Sequence, residues 1–119
     1  NVKLPVSAPF HCELMSNATK IMRDEINKIE FNEGHNILMS NVTADIVKDI
    51  PVIKDLLIRQ IENRVRWRES VVNMIHKGVK NFIEIGPGKV LSGLIKRIDR
   101  QVNVKSINSE EDIKNLDIL

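Results

Sequence analysis

The stretch Phe82-Ile83-Glu84-Ile85-Gly86-Pro87-Gly88-Lys89-Val90-Leu91 decides the fold class of this chain. Its first four residues read as a strand, and Gly86-Pro87-Gly88 as a turn. From Lys89 to Asp99, Val90, Leu91, Leu94, Ile95 and Ile98 recur at helical spacing and are expected to face inward. A second apolar stretch, Val102 to Ile107, then reads as another strand. Strand, helix and strand at this spacing form a crossover, and crossovers join parallel strands.

Working outward, the same alternation continues. A helix from about Arg68 to Lys77 buries Val71, Val72 and Ile75 and stops at Gly78, a residue suited to the left-handed end of a helix. Asp49-Ile50-Pro51 is a helix start, with proline tolerated in the first turn. That helix pairs apolar positions at Val52/Ile53, Leu56/Leu57 and Ile61, with Gln60 on the border of the stripe. Ile37 to Val42 reads as a short buried strand after the polar linker from Asn32 to Asn36. Glu13 to Ile29 reads as an amphipathic helix, its stripe formed by Leu14, Ala18, Ile21, Met22, Ile26 and Ile29. Val2 to Val6 reads as a strand that breaks at Pro9, and a polar helix begins near Ser109. The pattern is α/β with a mostly parallel sheet.

Composition narrows the function. A net charge of +2, with Lys and Arg spread along the chain, implies neither a nucleic-acid nor a membrane-surface partner. One tryptophan, three phenylalanines and no tyrosine leave little aromatic surface for stacking bases. The single cysteine precludes an internal disulfide and fits a reducing, cytoplasmic compartment. No apolar run approaches the length of a membrane span. The chain opens Asn1-Val2-Lys3, without an initiator methionine, as a piece of a longer protein would.

Several residues invite chemistry. His11, in Ser7-Ala8-Pro9-Phe10-His11-Cys12, sits between a strand and a helix start, whose positive dipole end favours a neutral ring, the form a general base needs. On position alone, a capping or packing role outweighs catalysis. Gly86-Pro87-Gly88-Lys89 resembles a phosphate cradle but fits neither template. A Gly-x-Gly-x-x-Gly motif would need glycine where Leu91 stands, and a Walker motif would need Ser or Thr at Val90. His11, Cys12, His35 and His76 lack metal-ligand spacing, so no metal is expected. Cys12 reads as a partly buried thiol, Trp67 as a packing anchor, and Arg64, Arg66 and Arg68 as a solvated basic run.

Three motifs in order change the balance. Leu4-Pro5-Val6-Ser7-Ala8-Pro9-Phe10-His11-Cys12, then Arg59-Gln60 leading to Val65-Arg66-Trp67 and Ser70-Val71, then Glu84-Ile85-Gly86-Pro87-Gly88-Lys89-Val90-Leu91, resemble the C-terminal portion of the malonyl-CoA:acyl carrier protein transacylases. The resemblance covers nearly all of the chain. It implies transfer of a malonyl group from coenzyme A to the phosphopantetheine thiol of acyl carrier protein, in fatty-acid synthesis, by a ping-pong Ser-His route. Malonyl-CoA is then a substrate, and no cofactor is implied.

On that resemblance, His11 is the general base and acid, and Gln60 orients it through its backbone carbonyl. Residues 1–8 would end a small ferredoxin-like subdomain, and residues 9–119 would form the C-terminal part of a large α/β-hydrolase-like subdomain. The nucleophilic serine of a Gly-His-Ser-x-Gly elbow occurs nowhere in the 119 residues. The missing N-terminal part of the enzyme would supply it and cover a sheet edge left bare here. This piece alone is therefore expected to be inactive, and marginally stable or self-associated. Cys12, where serine is common, and Arg64, where proline is common, depart from the family pattern. Phe10 fits malonyl-selective members, since a bulky side chain leaves less room for an α-methyl group. The alternative is a non-catalytic module, derived from such an enzyme, that binds acyl carrier protein or another chain. A weaker third reading is a nucleotide-binding domain using Gly86 to Lys89.

Overall fold

The computed structural model of this chain describes residues 9–115. The strand expected at Val2 to Val6, and with it the end of a small subdomain at residues 1–8, lies outside the described residues. The chain divides into two compact units, one ending at Ser70 and one beginning at Val71.

In the first unit, a 3-10 turn over Glu13–Met15 runs into helix α1 (Ser16–Lys28). Helix α2 (Ile50–Gln60) packs against α1. Asp49 caps α2, its carboxylate accepting from the Val52 N–H at 3.0 Å, and Pro51 falls in the first turn, where it removes no needed donor. Ile26 of α1 and Leu56 and Ile58 of α2 are buried.

Between the helices lies a hairpin, β1 (Leu38–Met39) paired antiparallel with β2 (Ile46–Val47). The strand expected over Ile37 to Val42 is thus shorter than its sequence reading. It is also not a buried strand, since Ile37 and Leu38 are exposed. The reason is the tight connection: Ser40 N–H donates to Asp45 O at 3.0 Å and Ala44 N–H to Ser40 O at 2.8 Å, which returns the chain antiparallel at once. Ala44 adopts φ 57 at this corner. Arg66 ties the loop down, its backbone N–H donating to Asn41 O and its Nη1 to Thr43 O, each at 2.9 Å. A guanidinium assigned to a solvated face therefore holds a turn.

Helix α3 (Trp67–His76) leads into the second unit, with Val71 fully buried and Val72 and Ile75 half-buried. Gly78, at φ 94, ends it as the sequence requires. The Gly78 N–H donates to Ile75 O and the Val79 N–H to Met74 O, which satisfies carbonyls the helix leaves open.

Strand β3 (Asn81–Ile85) then pairs in parallel with β4 (Asn103–Ile107), from Asn81 against Asn103 to Ile85 against Ile107. Helix α4 (Val90–Ile98) makes the crossover and packs on both strands, and α5 (Glu110–Lys114) packs on β4 behind a Ser109–Asp112 capping box. The unit is thus α/β with a parallel sheet, and Ile95, Val102 and Ile107 are buried in it.

Apolar residues of three elements, α4, β3 and α1, are left exposed. In α4, Ile95 is buried and Leu94 and Ile98 are half-buried, but Val90 is 70% exposed and Leu91 41%. On β3, Ile83 and Ile85 share an exposed side, while Phe82 and Glu84 face the half-buried one. A two-stranded sheet is too narrow to cover the first turn of α4. In α1, likewise, Ile26 is buried and Ala18 half-buried, whereas Leu14, Ile21, Met22 and Ile29 are exposed.

Candidate active site

His11 stands in the left-handed region, at φ 61, a conformation that costs a non-glycine residue energy and that surrounding structure must enforce. The Cys12 thiol donates to Pro9 O at 3.1 Å and the Met15 N–H to Cys12 O at 3.0 Å, which closes the backbone around the histidine. Cys12 is half-buried, and its thiol is engaged within this turn.

The ring of His11 reaches Gln60, 49 positions on, with Nδ1 2.9 Å from the Gln60 backbone oxygen. A carbonyl oxygen can only accept, so the proton of the neutral ring sits on Nδ1. Nε2 then carries the lone pair. The Gln60 side-chain Nε2 is 3.3 Å from the same Nδ1, and as a second donor it cannot share that proton. The shorter contact to the carbonyl decides the tautomer.

Gln60 is the last residue of α2, and the final four carbonyls of a helix lack intrahelical donors. The helix end therefore offers His11 an acceptor with no competing N–H. That end carries the negative pole of the helix dipole. This corrects the electrostatic reading from sequence, which put the ring at the positive start of the helix that follows it. The chain turns back at His11, so the ring meets the end of another helix instead.

The other motif has closed itself. Gly86 and Gly88 adopt φ 138 and 92, angles that suit glycine, and their turn presents the start of α4. The Gly88, Leu91 and Ser92 N–H groups there are occupied. Leu91 N–H donates to Glu84 Oε1 at 3.0 Å, Ser92 N–H to Oε2 at 2.8 Å, and the Ser92 hydroxyl to Oε2 at 2.6 Å. The Gly88 N–H donates to Asn108 Oδ1 at 2.6 Å. The Ser92 hydroxyl, then the Ser92 and Leu91 N–H groups, hold the Glu84 carboxyl below its ordinary range against a smaller opposing effect of burial. A carboxylate of the chain itself fills the place of a phosphate, which removes the basis for nucleotide binding.

Among the described residues, no group of three or more His, Cys, Asp or Glu side chains could hold a metal ion, and no helix is long and apolar enough to cross a membrane. A cavity of about 510 Å³ is lined by Phe31, His35, Lys48 and their neighbours and includes neither His11 nor Gln60. A smaller one of about 110 Å³ lies against Gln60, between the hairpin and α2. The convergent chemistry is at His11 and Gln60, so cavity size is a poor guide here. Sequence reading passed over Asn63 and Asn108, whose side-chain amides hold the loops in place, and took Arg66 for part of a solvated face. The sequence signal at Asn63 and Asn108 was a position just after a helix and just after a strand.

No protein-family model matches the chain. The malonyl CoA-acyl carrier protein transacylase of Bacillus subtilis (strain 168) is 39% identical over 113 residues, which are 95% of this chain and 36% of that protein. The crystal structure of the same transacylase from Clostridium perfringens superposes with a TM-score of 0.88 at 40% identity, over 96% of this chain and 36% of the other. A malonyl-transacylase solved in complex with a type II PKS acyl-carrier protein gives 0.87 at 36% identity, over 94% of this chain and 36% of that one. The chain thus spans about 36% of the length of the relatives it matches. Over that span, with nearly all of its own length, it is a homologue of the malonyl CoA-acyl carrier protein transacylases.

Proposed function

We propose that these 119 residues carry the histidine half of a malonyl-transfer centre, one that moves a malonyl group from coenzyme A to the phosphopantetheine thiol of acyl carrier protein. The observation that carries this reading is the 2.9 Å contact between His11 Nδ1 and the Gln60 carbonyl, which leaves Nε2 as a free base. The names of the relatives supply the substrates, and the relative solved with an acyl-carrier protein supports that partner.

In the proposed route, His11 Nε2 takes the proton of a serine hydroxyl as its oxygen attacks the malonyl thioester carbonyl. The tetrahedral intermediate collapses, the C–S bond breaks, and His11 returns the proton to the coenzyme A sulfur. In the second half, His11 deprotonates the pantetheine thiol as it attacks the malonyl-serine ester, then reprotonates the serine oxygen. The Gln60 carbonyl holds the ring and stabilises the transient imidazolium, as a carboxylate does in Ser-His-Asp triads. No Gly-x-Ser-x-Gly occurs in the sequence, so in this reading the nucleophile comes from outside the 119 residues. Residues 9–119 would form part of an α/β-hydrolase-like subdomain, with residues 1–8 the last strand of a ferredoxin-like one. The exposed faces of α1, β3 and α4 are the surfaces that the serine-bearing portion would cover.

A chimaera tests it. The chain replaces the matching 36% of the Bacillus subtilis relative, and transfer of labelled malonyl from coenzyme A to acyl carrier protein is measured. The chimaera is expected to transfer malonyl and the 119 residues alone are not. A folded chimaera that forms the malonyl-serine ester no faster than without this chain would overturn the reading.

A further inference from the structure

We infer that Asn63 is a positioning residue for His11. It acts through the end of α2, and the inference rests on the reading of His11 as the base. The carbonyl that holds the ring is useful only while α2 stops at Gln60. One more helical turn would bring the Arg64 N–H, the next donor in the i to i+4 series, onto the Gln60 oxygen. Asn63 fastens the turn at that end. Its backbone N–H donates to Arg59 O at 3.0 Å and its side-chain Nδ2 to the same oxygen at 2.8 Å. Glu62 N–H adds a third donor to that oxygen at 3.2 Å. Arg59 O is therefore saturated, and the last turn is drawn tight behind it. From the other side, the Asn63 carbonyl accepts from the Gln60 side-chain Nε2 at 3.4 Å. Asn63 thus holds Arg59 and Gln60, the last two residues of α2, and the Gln60 carbonyl is the one His11 uses.

The side-chain bond reaches back four residues. Ser70 makes the same bond to Arg66 O at 2.9 Å, and Thr19 makes it to Met15 O at 3.2 Å. A serine at position 63 can therefore replace the amide donor, whereas alanine cannot.

The test reads the ring itself. With nitrogen-15 histidine in the 119-residue chain and in the chimaera, the Nδ1–H to Nε2–H tautomer ratio of His11 is measured beside the exposed His35 and His76. In the parent protein, His11 should be mainly Nδ1–H. In Asn63→Ala the ratio should fall about fivefold, the factor a single hydrogen bond is typically worth. Asn63→Leu, which keeps the branched shape without the donor, should behave alike if the alanine variant folds poorly, and Asn63→Ser should restore the parent ratio. An unchanged ratio in the alanine and leucine variants overturns the inference, and so does an equal fall in the serine variant. Failure of the chimaera to transfer malonyl would count against the acyl-transfer reading, and the tautomer ratio would still decide the role of Asn63.

Discussion

Two helix ends in this chain face the same physical problem and solve it in opposite ways. The start of α4 has N–H groups without helical partners, and the end of α2 has carbonyls without them. At α4 the counter-group is the Glu84 carboxylate, with Oε1 engaged by Leu91 and Oε2 by Ser92, whose hydroxyl also lies 2.8 Å from that of Ser106. At α2 the counter-group is the His11 imidazole, engaged among the described residues through Nδ1 alone. A carboxylate with both oxygens held by the helix start is locked in place. An imidazole held by one nitrogen is oriented and keeps the other. A helix end becomes a chemical site when its partner retains a free functional atom.

The strongest way to break that contrast is to remove the free atom. His11→Ala in the chimaera should lower kcat for malonyl transfer by roughly 10²- to 10⁴-fold, the range a positioned general base supplies, with the fold retained. Because alanine also disfavours φ 61, thermal melting should accompany the kinetics. Transfer at the parent rate in a folded His11→Ala protein would mean that the oriented nitrogen is not the base.

The next test acts on the locked end and should appear in stability against pH. The folded Glu84 carboxyl titrates below its ordinary value of 4.5, so its contribution is fully present above about that pH. The contribution is lost as pH falls through the lowered value, because the unfolded state then binds more protons than the folded one. Glu84→Gln should lower the urea midpoint at neutral pH and flatten its decline on acidification. Some decline should remain. Asp112 is likewise held low, first by the Asn108 N–H and then by the Ser109 hydroxyl, and Glu69 mainly by a backbone N–H and Arg66. Identical acid slopes in the parent and Glu84→Gln would show that the carboxylate does not hold the start of α4.

The contrast between the two ends also marks what could be read from sequence. Gly78, Asp49 with Pro51, and the Gly86-Pro87-Gly88 turn act through backbone conformation within a few residues, so the elements they bound were legible to within a residue or two. Periodicity marked Val90 and Leu91 as part of the inward stripe of α4, and Ile83 and Ile85 as strand residues. It could not show what covers those residues, and here they are exposed. The β1–β2 hairpin was misread because each strand is two residues long and its loop is held by Arg66 from outside the local window. The pairing of His11 with Gln60 spans 49 positions, which no local signal encodes. Only the resemblance brought the two together. The electrostatic error at His11 has the same origin, since adjacency in sequence named the wrong helix as its neighbour.

The smallest expected effect is the sharpest test of whether a backbone group holds the ring. Gln60→Ala deletes the side chain and keeps the carbonyl. Alanine is the strongest helix former, so α2 should still reach position 60. The lost contacts are the 3.4 Å bond to Asn63 O and the 3.3 Å approach to His11 Nδ1. The first is long for a hydrogen bond, and the second sets one donor against another. Removing them should change kcat of the chimaera by no more than about fivefold, the worth of one ordinary hydrogen bond, and leave the His11 tautomer ratio near its parent value. If Gln60→Ala instead proved as damaging as His11→Ala, the amide and not the helix end would be the ring's partner. The two termini would then no longer be alike, because at α2 the group that matters would be a side chain that merely happens to stand on the last turn.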